Sequence, residues 1–326
     1  MFAHDPGPVW LNDLVSLTLT PELEAALLEG KLWFKGTDAQ SVLCTETDTF
    51  AIAGASCNPT SCLLEQDSQD PSAYCFTTAL KTNLATEKCP GTIDWELVPE
   101  YNEDGLCNQV AIQDIMDASM CSNVEFSALW TAHCGAIVDG FGCVVSGQLI
   151  YRLAVELNSA AFVLGSTANF AEMHDRTSQQ FPCEIYKAVY DKLWPSELPI
   201  WIGRHLLFQN DKHSAKQFIA RWKRDLLGFE ELSLELLSGC FIAQGDSITV
   251  VKPEYLPRDG KQRIRYLFSI KQIWELREML PFFSDLTDTA EVRVAESYIK
   301  QYAKIVNTSD PRNRKRLIKK VLMIGT

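Results

Sequence analysis

Basic residues are scarce in the first 200 of the 326 residues. Residues 1–200 contain 8 Lys and Arg against 27 Asp and Glu, a net charge of −19, whereas residues 201–326 contain 22 against 15, a net charge of +7. An acidic surface repels the phosphate backbone, while Lys and Arg that neutralise phosphates release bound counterions. We therefore expect any nucleic-acid contact only in the second part of the chain.

Long apolar runs are also absent. The longest stretch without a charged residue, Thr49–Leu64, has 16 residues and is rich in Ser, Thr, Asn and Pro. A membrane-spanning helix needs about 20 mostly apolar residues. The opening residues, Met1–Asp5, lack the basic and apolar segments of a secretory signal. These absences predict a soluble protein that works inside the cell.

Motifs of the common catalytic and nucleotide-binding sites are missing. The chain has no P-loop, G-x-S-x-G, H-E-x-x-H or G-x-G-x-x-G pattern. A cysteine hydrolase would need a thiol of low pKa beside a His, and His133-Cys134 is the one adjacent pair. We expect neither enzymatic activity nor a cofactor, with a cysteine hydrolase as the least favoured hypothesis.

The 11 cysteines include no C-x-x-C pair. The loose series Cys57, Cys62, Cys75 and Cys89 is the nearest approach to a metal-binding pattern, but structural zinc usually has tighter ligand pairs. Without a secretory signal, reduced and mostly buried thiols are the favoured interpretation, and zinc stays the alternative.

Residues 1–100 are predicted to form a small antiparallel β unit. Thr20 and Pro21 suit the start of a helix, and three alternating segments follow between residues 31 and 52. Residues 65–92 look irregular, and residues 95–98 are expected to close the sheet. A small open sheet has unpaired edges, which invite partner strands. The candidate partner-interface residues are Leu32, Phe34, Val42, Phe50 and Ile52, although a plain β core would contain the same residue types.

Residues 101–165 resemble a winged-helix module. A helix is predicted over residues 109–118, and Ser122 and Glu125 form a capping box before a second helix. A β-hairpin with Asp139-Gly140 at its turn and a third helix over residues 148–158 follow.

A similar order recurs over residues 212–290, with a helix over 214–227, a short helix over 230–237 and a hairpin. Residues 166–211 between the two modules show helices without a clear hairpin and are predicted to be a degenerate winged helix. Residues 291–326 are predicted to be a basic helical tail. The expected fold is therefore α+β, a small β unit followed by tandem winged-helix domains.

Basic residues cluster on two predicted helices and in the tail. The candidate DNA-binding residues are Lys212, Lys216, Arg221, Lys223, Arg224, Arg258, Lys261, Arg263, Arg265, Arg312, Arg314, Lys315, Arg316, Lys319 and Lys320. Solvated charged faces produce similar runs. The helix before the second hairpin carries Glu230, Glu231 and Glu235, which phosphates would repel, so contact without sequence specificity is expected. The tail is open to three interpretations: a nuclear-import signal, a DNA-binding arm or a charged helix.

Several segments, in order, resemble the sister chromatid cohesion protein Dcc family. They are Leu17–Gly36, Ala39–Thr45, Thr49-Phe50, Trp95–Leu97, Val250–Pro257, Arg263–Phe268, Trp274 and Pro281–Phe283. Each segment alone is weak, but the ordered set, over roughly residues 14–290, is fairly specific.

The resemblance implies a non-catalytic nuclear subunit of an alternative clamp loader of the RFC type. Such a complex acts on the sliding clamp PCNA in DNA replication and sister chromatid cohesion. The implied partners are two chromosome-transmission-fidelity subunits and DNA polymerase epsilon. In the family, the N-terminal part forms a composite β-barrel with its partners, and the C-terminal winged helices contact DNA. The alternative is a stand-alone winged-helix DNA-binding regulator, which should fold alone and prefer particular sequences.

Overall fold

The computed structural model describes residues 16–36, 41–55, 61–66, 74–80, 83–165, 167–229, 231–286, 296–297, 299–301, 303–307 and 316–320. It is a mixed α+β protein, which confirms the expected class. The chain divides into two compact units, Met1–Ser146 and Gly147–Thr326. In the described ranges, no helix is long and apolar enough to cross a bilayer.

The first unit is built on a five-stranded sheet. The elements up to residue 89 are β1 (Ser16–Thr18), α1 (Pro21–Leu28), β2 (Trp33–Gly36), β3 (Ser41–Cys44), β4 (Thr49–Ala55), β5 (Ser61–Gln66), β6 (Tyr74–Leu80) and β7 (Asn83–Cys89). The sheet order is β1-β7-β4-β3-β2, and β5 and β6 pair separately. Neighbours are antiparallel except β1, which runs parallel to β7. β1 and β2 are thus the two edges.

Two predictions for this region are wrong. Residues 65–92 contain β6, β7 and the end of β5, and β7 pairs with β4 along its whole length. The sequence of β7, NLATEKC, has no strong strand propensity, so pairing with a distant strand decides its conformation. Residues 95–98 form turns, in which Leu97 and Val98 donate to the carbonyls of Asp94 and Trp95. They do not close the sheet.

The rest of the first unit follows the predicted order. Its elements are β8 (Glu100–Asn102), β9 (Gly105–Leu106), α2 (Ile112–Ala118), α3 (Asn123–Ala132), β10 (Gly135–Val138) and β11 (Phe141–Val145). Asp139 and Gly140 have φ of 52° and 85°, as the predicted tight hairpin requires. The capping box of Ser122 and Glu125 is present. The strands form a second sheet, β10-β11-β8-β9.

The five-stranded sheet is covered on both faces. Phe34, Leu43 and Phe50 lie opposite one another on adjacent strands and therefore share a face. On that face, Leu23 of α1 packs against Leu43 and Phe50. Lys35 and Val42 share the other face, where β2 contacts α2.

The second unit begins with helices and ends in two small sheets. Its elements are α4 (Gly147–Leu164), α5 (Phe170–His174), α6 (Cys183–Leu193), α7 (Leu198–Leu207), β12 (Lys212–Ser214), α8 (Ala215–Asp225), β13 (Phe241–Gln244), β14 (Ser247–Val250), α9 (Gly260–Ile270), β15 (Ile273–Glu275), α10 (Leu276–Met279), β16 (Ala303–Asn307) and β17 (Arg316–Lys320). The sheet orders are β12-β14-β13 and β15-β17-β16. In each, the last strand in the chain lies between the other two.

The described residues of 166–211 hold only helices and turns, in agreement with the missing hairpin in the sequence. The short helix predicted before the second hairpin is a four-residue 3₁₀ turn, Leu234–Leu237.

The end of the chain differs from its prediction. Arg316–Lys320 is a strand rather than part of a helix, and it pairs with both β15 and β16. Ile299 and Ala303 are buried in one core with Trp274 and Phe283. A helix prediction rests on neighbouring residues, whereas this strand is set by pairing with β15, about 40 positions earlier in the chain. Residues 303–307 and 316–320 therefore complete the last sheet and are not part of a helical tail.

Candidate functional site

The predicted partner-interface residues separate into core and surface. Val42 and Phe50 are 1% and 3% exposed, so these two predictions are wrong and both side chains belong to the core. Leu32 and Ile52 are half-buried and pack against the cluster of Leu23, Leu43 and Phe50. Phe34 is 68% exposed on the edge strand β2. Of the five, only Phe34 exposes most of its side chain.

Three apolar residues near Phe34 in sequence are also exposed. Trp33 is its neighbour on β2, and Leu27 and Leu28 end α1. We call Leu27, Leu28, Trp33 and Phe34, with the outer edge of β2, the assembly edge. A signal in the sequence is the adjacent pair Leu27-Leu28, because adjacent helix residues point about 100° apart and a narrow buried face covers only one of them. Among the described residues, no strand pairs with the outer edge of β2.

Glu125 fixes the sheet that carries this edge to α3. Its carboxylate accepts hydrogen bonds from Thr49 Oγ1 at 2.5 Å, Ser122 Oγ at 2.7 Å and the Gly91 amide at 3.1 Å. Burial alone would raise the pKa of Glu125, but the hydrogen bonds from Thr49, Ser122 and Gly91 outweigh it, so the pKa lies below its ordinary value. The ionised carboxylate thus joins β4 to the start of α3.

Lys35 makes a second connection from β2 itself. Its ammonium donates to the main-chain carbonyls of Met116 and Cys121, each at 3.0 Å. The edge strand is therefore fixed to α2, which contains Met116, and to the loop that follows α2.

The first predicted basic cluster lies on α8 and β12. Lys216, Lys223 and Arg224 are exposed on α8, and Lys212 is exposed on β12. Arg221 is half-buried, with its Nε 3.9 Å from a carboxylate oxygen of Asp225. Charge thus occupies the outer face of this helix.

The buried face of α8 is aromatic. Phe218 and Trp222 are 3% and 0% exposed, and Trp222 Nε1 donates to the Pro199 carbonyl at 3.1 Å. These rings belong to the core and are not available to stack on bases.

In the second predicted basic cluster, three of the four residues are exposed and one is buried. Arg258, Lys261 and Arg265 are exposed at the start and on the outer face of α9. Arg263 is 1% exposed. It donates to the carbonyls of Pro257 and Phe282, each at 2.7 Å, and to the carboxylate of Asp285. The prediction that Arg263 binds DNA is therefore wrong, because its guanidinium is buried and donates its hydrogen bonds within the protein.

The tail candidates are only partly described. Arg316, Lys319 and Lys320 lie on β17, while Arg312, Arg314 and Lys315 fall outside the described residues. Glu230 also falls outside them. Glu235 is exposed on the 3₁₀ turn before β13.

In the His133-Cys134 pair considered for catalysis, the histidine ring contacts other groups and the cysteine is buried. His133 Nδ1 lies 2.9 Å from the Leu129 carbonyl, and its ring lies 4.2 Å from that of Trp95. Cys134 is 3% exposed. In the described ranges, no cluster of His, Cys, Asp and Glu could hold a metal ion, although Cys57 lies outside those ranges.

An unpaired strand edge beside exposed aromatic side chains is a surface through which proteins assemble. The exposed faces of α8 and α9 are a second kind of surface, suited to anionic partners. These features define a protein with candidate assembly and charge-binding surfaces on separate elements.

The family model of sister chromatid cohesion protein Dcc1 matches residues 15–283. The sister chromatid cohesion protein DCC1 of Saccharomyces cerevisiae is 20% identical over 284 residues, which cover 74% of this chain and 72% of the yeast protein. The chain belongs to the sister chromatid cohesion protein Dcc1 family, and this membership implies a role in sister chromatid cohesion. The resemblance stated from sequence is confirmed.

Proposed function

We propose that the protein is a non-catalytic subunit of an alternative RFC-like clamp loader that acts on PCNA in the nucleus. The observation that carries the proposal is the family match across residues 15–283. Its proposed partners are the two chromosome-transmission-fidelity subunits and DNA polymerase epsilon, and it uses no cofactor.

The assembly edge is the proposed contact with the two clamp-loader subunits. A strand from a partner would continue the sheet beyond β2 and cover Trp33 and Phe34, which are 39% and 68% exposed. Main-chain pairing would provide affinity, and the two aromatic rings would provide specificity. A composite barrel closed in this way removes an exposed edge.

The second unit is proposed to contain winged helices that contact DNA without sequence specificity. The support is the shared order of its two small sheets, β12-β14-β13 and β15-β17-β16, each with helices after its first strand. The exposed basic side chains of α8 and α9 suit phosphates. Glu235 on the short turn before β13 disfavours base readout at that position, which weighs against a stand-alone sequence-specific regulator.

Co-expression with the two partner subunits of the same organism tests the assembly. We expect one stoichiometric complex by size-exclusion chromatography. A chain that stays monomeric in the presence of both subunits would contradict the proposal and favour the stand-alone regulator.

A charge on the edge strand sharpens this test. Phe34→Glu should reduce recovery of the complex at least about tenfold, because a carboxylate would be desolvated in the interface. Val124→Glu is the matched control, since Val124 is also exposed in the first unit, at 51%. Equal loss in both variants would mean that Phe34 has no special part in assembly.

A further inference from the structure

A groove of about 570 Å³ lies between the two small sheets of the second unit. One wall is β13, with Phe241 and Ala243, and the opposite wall contains Trp274 and Glu275 of β15. β13 and β15 are both outer strands of their sheets. Two strand edges therefore border the same space.

The hydrogen-bond register shows which groups of β13 point outward. Val251 donates to the Cys240 carbonyl at 2.9 Å, so alternate residues, Ile242 and Gln244, bond to β14. Phe241 and Ala243 therefore direct their N–H and C=O groups away from β14. Among the described residues, no strand pairs with this side of β13.

β13 is in close contact with neighbouring elements at both of its ends. A side chain at Gly239 would come within 3.2 Å of Pro281, and Gln244 Nε2 donates to the Ile270 carbonyl at 3.2 Å. Between them, Ile242 is buried in one core with Trp274. A preformed edge of this kind binds without a large ordering cost.

The charge of the residues that line the groove favours a basic binding partner. Three carboxylates, Glu235, Glu275 and Glu278, line the groove together with two cations, Lys271 and Arg277. Lys271 Nζ lies 2.7 Å from Glu278 and 5.5 Å from the centre of the Trp274 ring. The lining as a whole carries one negative charge in excess.

We propose that this groove binds an extended basic segment of a partner protein as an added β-strand along β13. The N–H and C=O groups of Phe241 and Ala243 would pair with the segment, and alternate side chains would enter the groove beside Trp274. This surface lies in the second unit and does not depend on the assembly edge of the first.

Hydrogen exchange in the full chain tests the proposal with a defined probe, the capped peptide Lys-Val-Lys-Val-Lys-Val. At about 1 mM peptide, the Phe241 and Ala243 amides should exchange at least about fivefold more slowly. Two control peptides, one with alternate N-methylated residues and one with Glu in place of Lys, should give little protection.

A variant of the protein distinguishes strand pairing from non-specific binding of the peptide. Ala243→Pro removes an outward donor and should weaken binding about tenfold, whereas Ala243→Ser, which keeps the donor, should bind as the parent does. If Ala243→Pro fails to fold, the N-methylated peptide carries the same distinction. No protection at Phe241 and Ala243, or equal protection by all three peptides, would overturn the proposal.

Discussion

At the scale of single residues, Glu125 and Arg263 each link elements that are distant in the chain. From the first turn of α3, Glu125 accepts hydrogen bonds from Thr49 of β4 and from the Gly91 amide just after β7. Arg263 joins α9 to the carbonyls of Pro257 and Phe282. Each ionised group has most of its hydrogen-bonding capacity used inside the fold, so their removal should affect stability first.

Glu125→Gln should lower the free energy of unfolding by about 2 kcal/mol, because an amide cannot accept all the bonds that the carboxylate accepts. Urea denaturation measures the change. Glu96→Gln, at an exposed position, is the control and should stay within about 0.5 kcal/mol of the parent.

The same carboxylate predicts a dependence on pH. Since the pKa of Glu125 is lowered in the folded state, its contribution is complete above the unfolded value of about 4.3 and is lost as pH falls through the folded value. Below about pH 4.3, stability should therefore fall less steeply in Glu125→Gln than in the parent. Parallel curves in urea titrations at several pH values would contradict this role.

Arg263→Ala should destabilise the second unit by about 3 kcal/mol, because two buried carbonyls lose their donor. Arg263 also holds the pKa of Asp285 below its ordinary value. Lys261→Ala, on the exposed face of the same helix, should leave the melting temperature nearly unchanged. An unaltered melting temperature for Arg263→Ala would contradict this structural role and make Arg263 a candidate for DNA binding again.

At the scale of elements, the sequence predicted features fixed by local rules. The helix start at Thr20, the capping box at Ser122 and the Asp139-Gly140 turn all depend on neighbouring residues and are confirmed. β7 and β17 were missed because each is fixed by pairing with strands far along the chain. The prediction of buried residues was limited in the same way. Periodicity assigned Val42 to a strand and Arg263 to a helix, but it could not show that both side chains face the core.

Deletion of residues 291–326 tests the role of β16 and β17. Without them β15 loses its partner strand, and the core around Trp274 and Phe283 loses Ile299 and Ala303. The shortened chain should bind a hydrophobic dye and lose cooperative unfolding of the second unit. The point variant Ala303→Asp, at a 4% exposed position, should have the same effect in weaker form. A shortened chain that melts like the parent would contradict the structural role of β16 and β17 and favour the separate basic tail predicted from sequence.

At the scale of the whole molecule, charge follows the structural division. Residues 1–146 contain 4 Lys and Arg against 21 Asp and Glu, a net charge of −17, and residues 147–326 contain 26 against 21, a net charge of +5. Electrostatic attraction to DNA should therefore be confined to the second unit.

Chemical acetylation of the full chain, read by mass spectrometry, can locate this contact. Duplex DNA should slow the reaction of Lys212, Lys216, Lys223 and Lys261, while the exposed Lys31 and Lys88 of the first unit react at an unchanged rate. The protection should disappear as salt is raised, because counterion release drives the binding. Protection of Lys31 and Lys88, or none at any site, would contradict the predicted division.

The two hydrogen bonds of Lys35 also have a mechanical consequence. Lys35 lies on β2, the strand with the open edge, and its ammonium is fixed to the carbonyls of Met116 and Cys121. A pulling force applied through a strand added to β2 would pass directly into α2 and the loop that follows it. Tension at the assembly edge would therefore load α2 and α3, and these Lys35 contacts would be among the first to carry the strain.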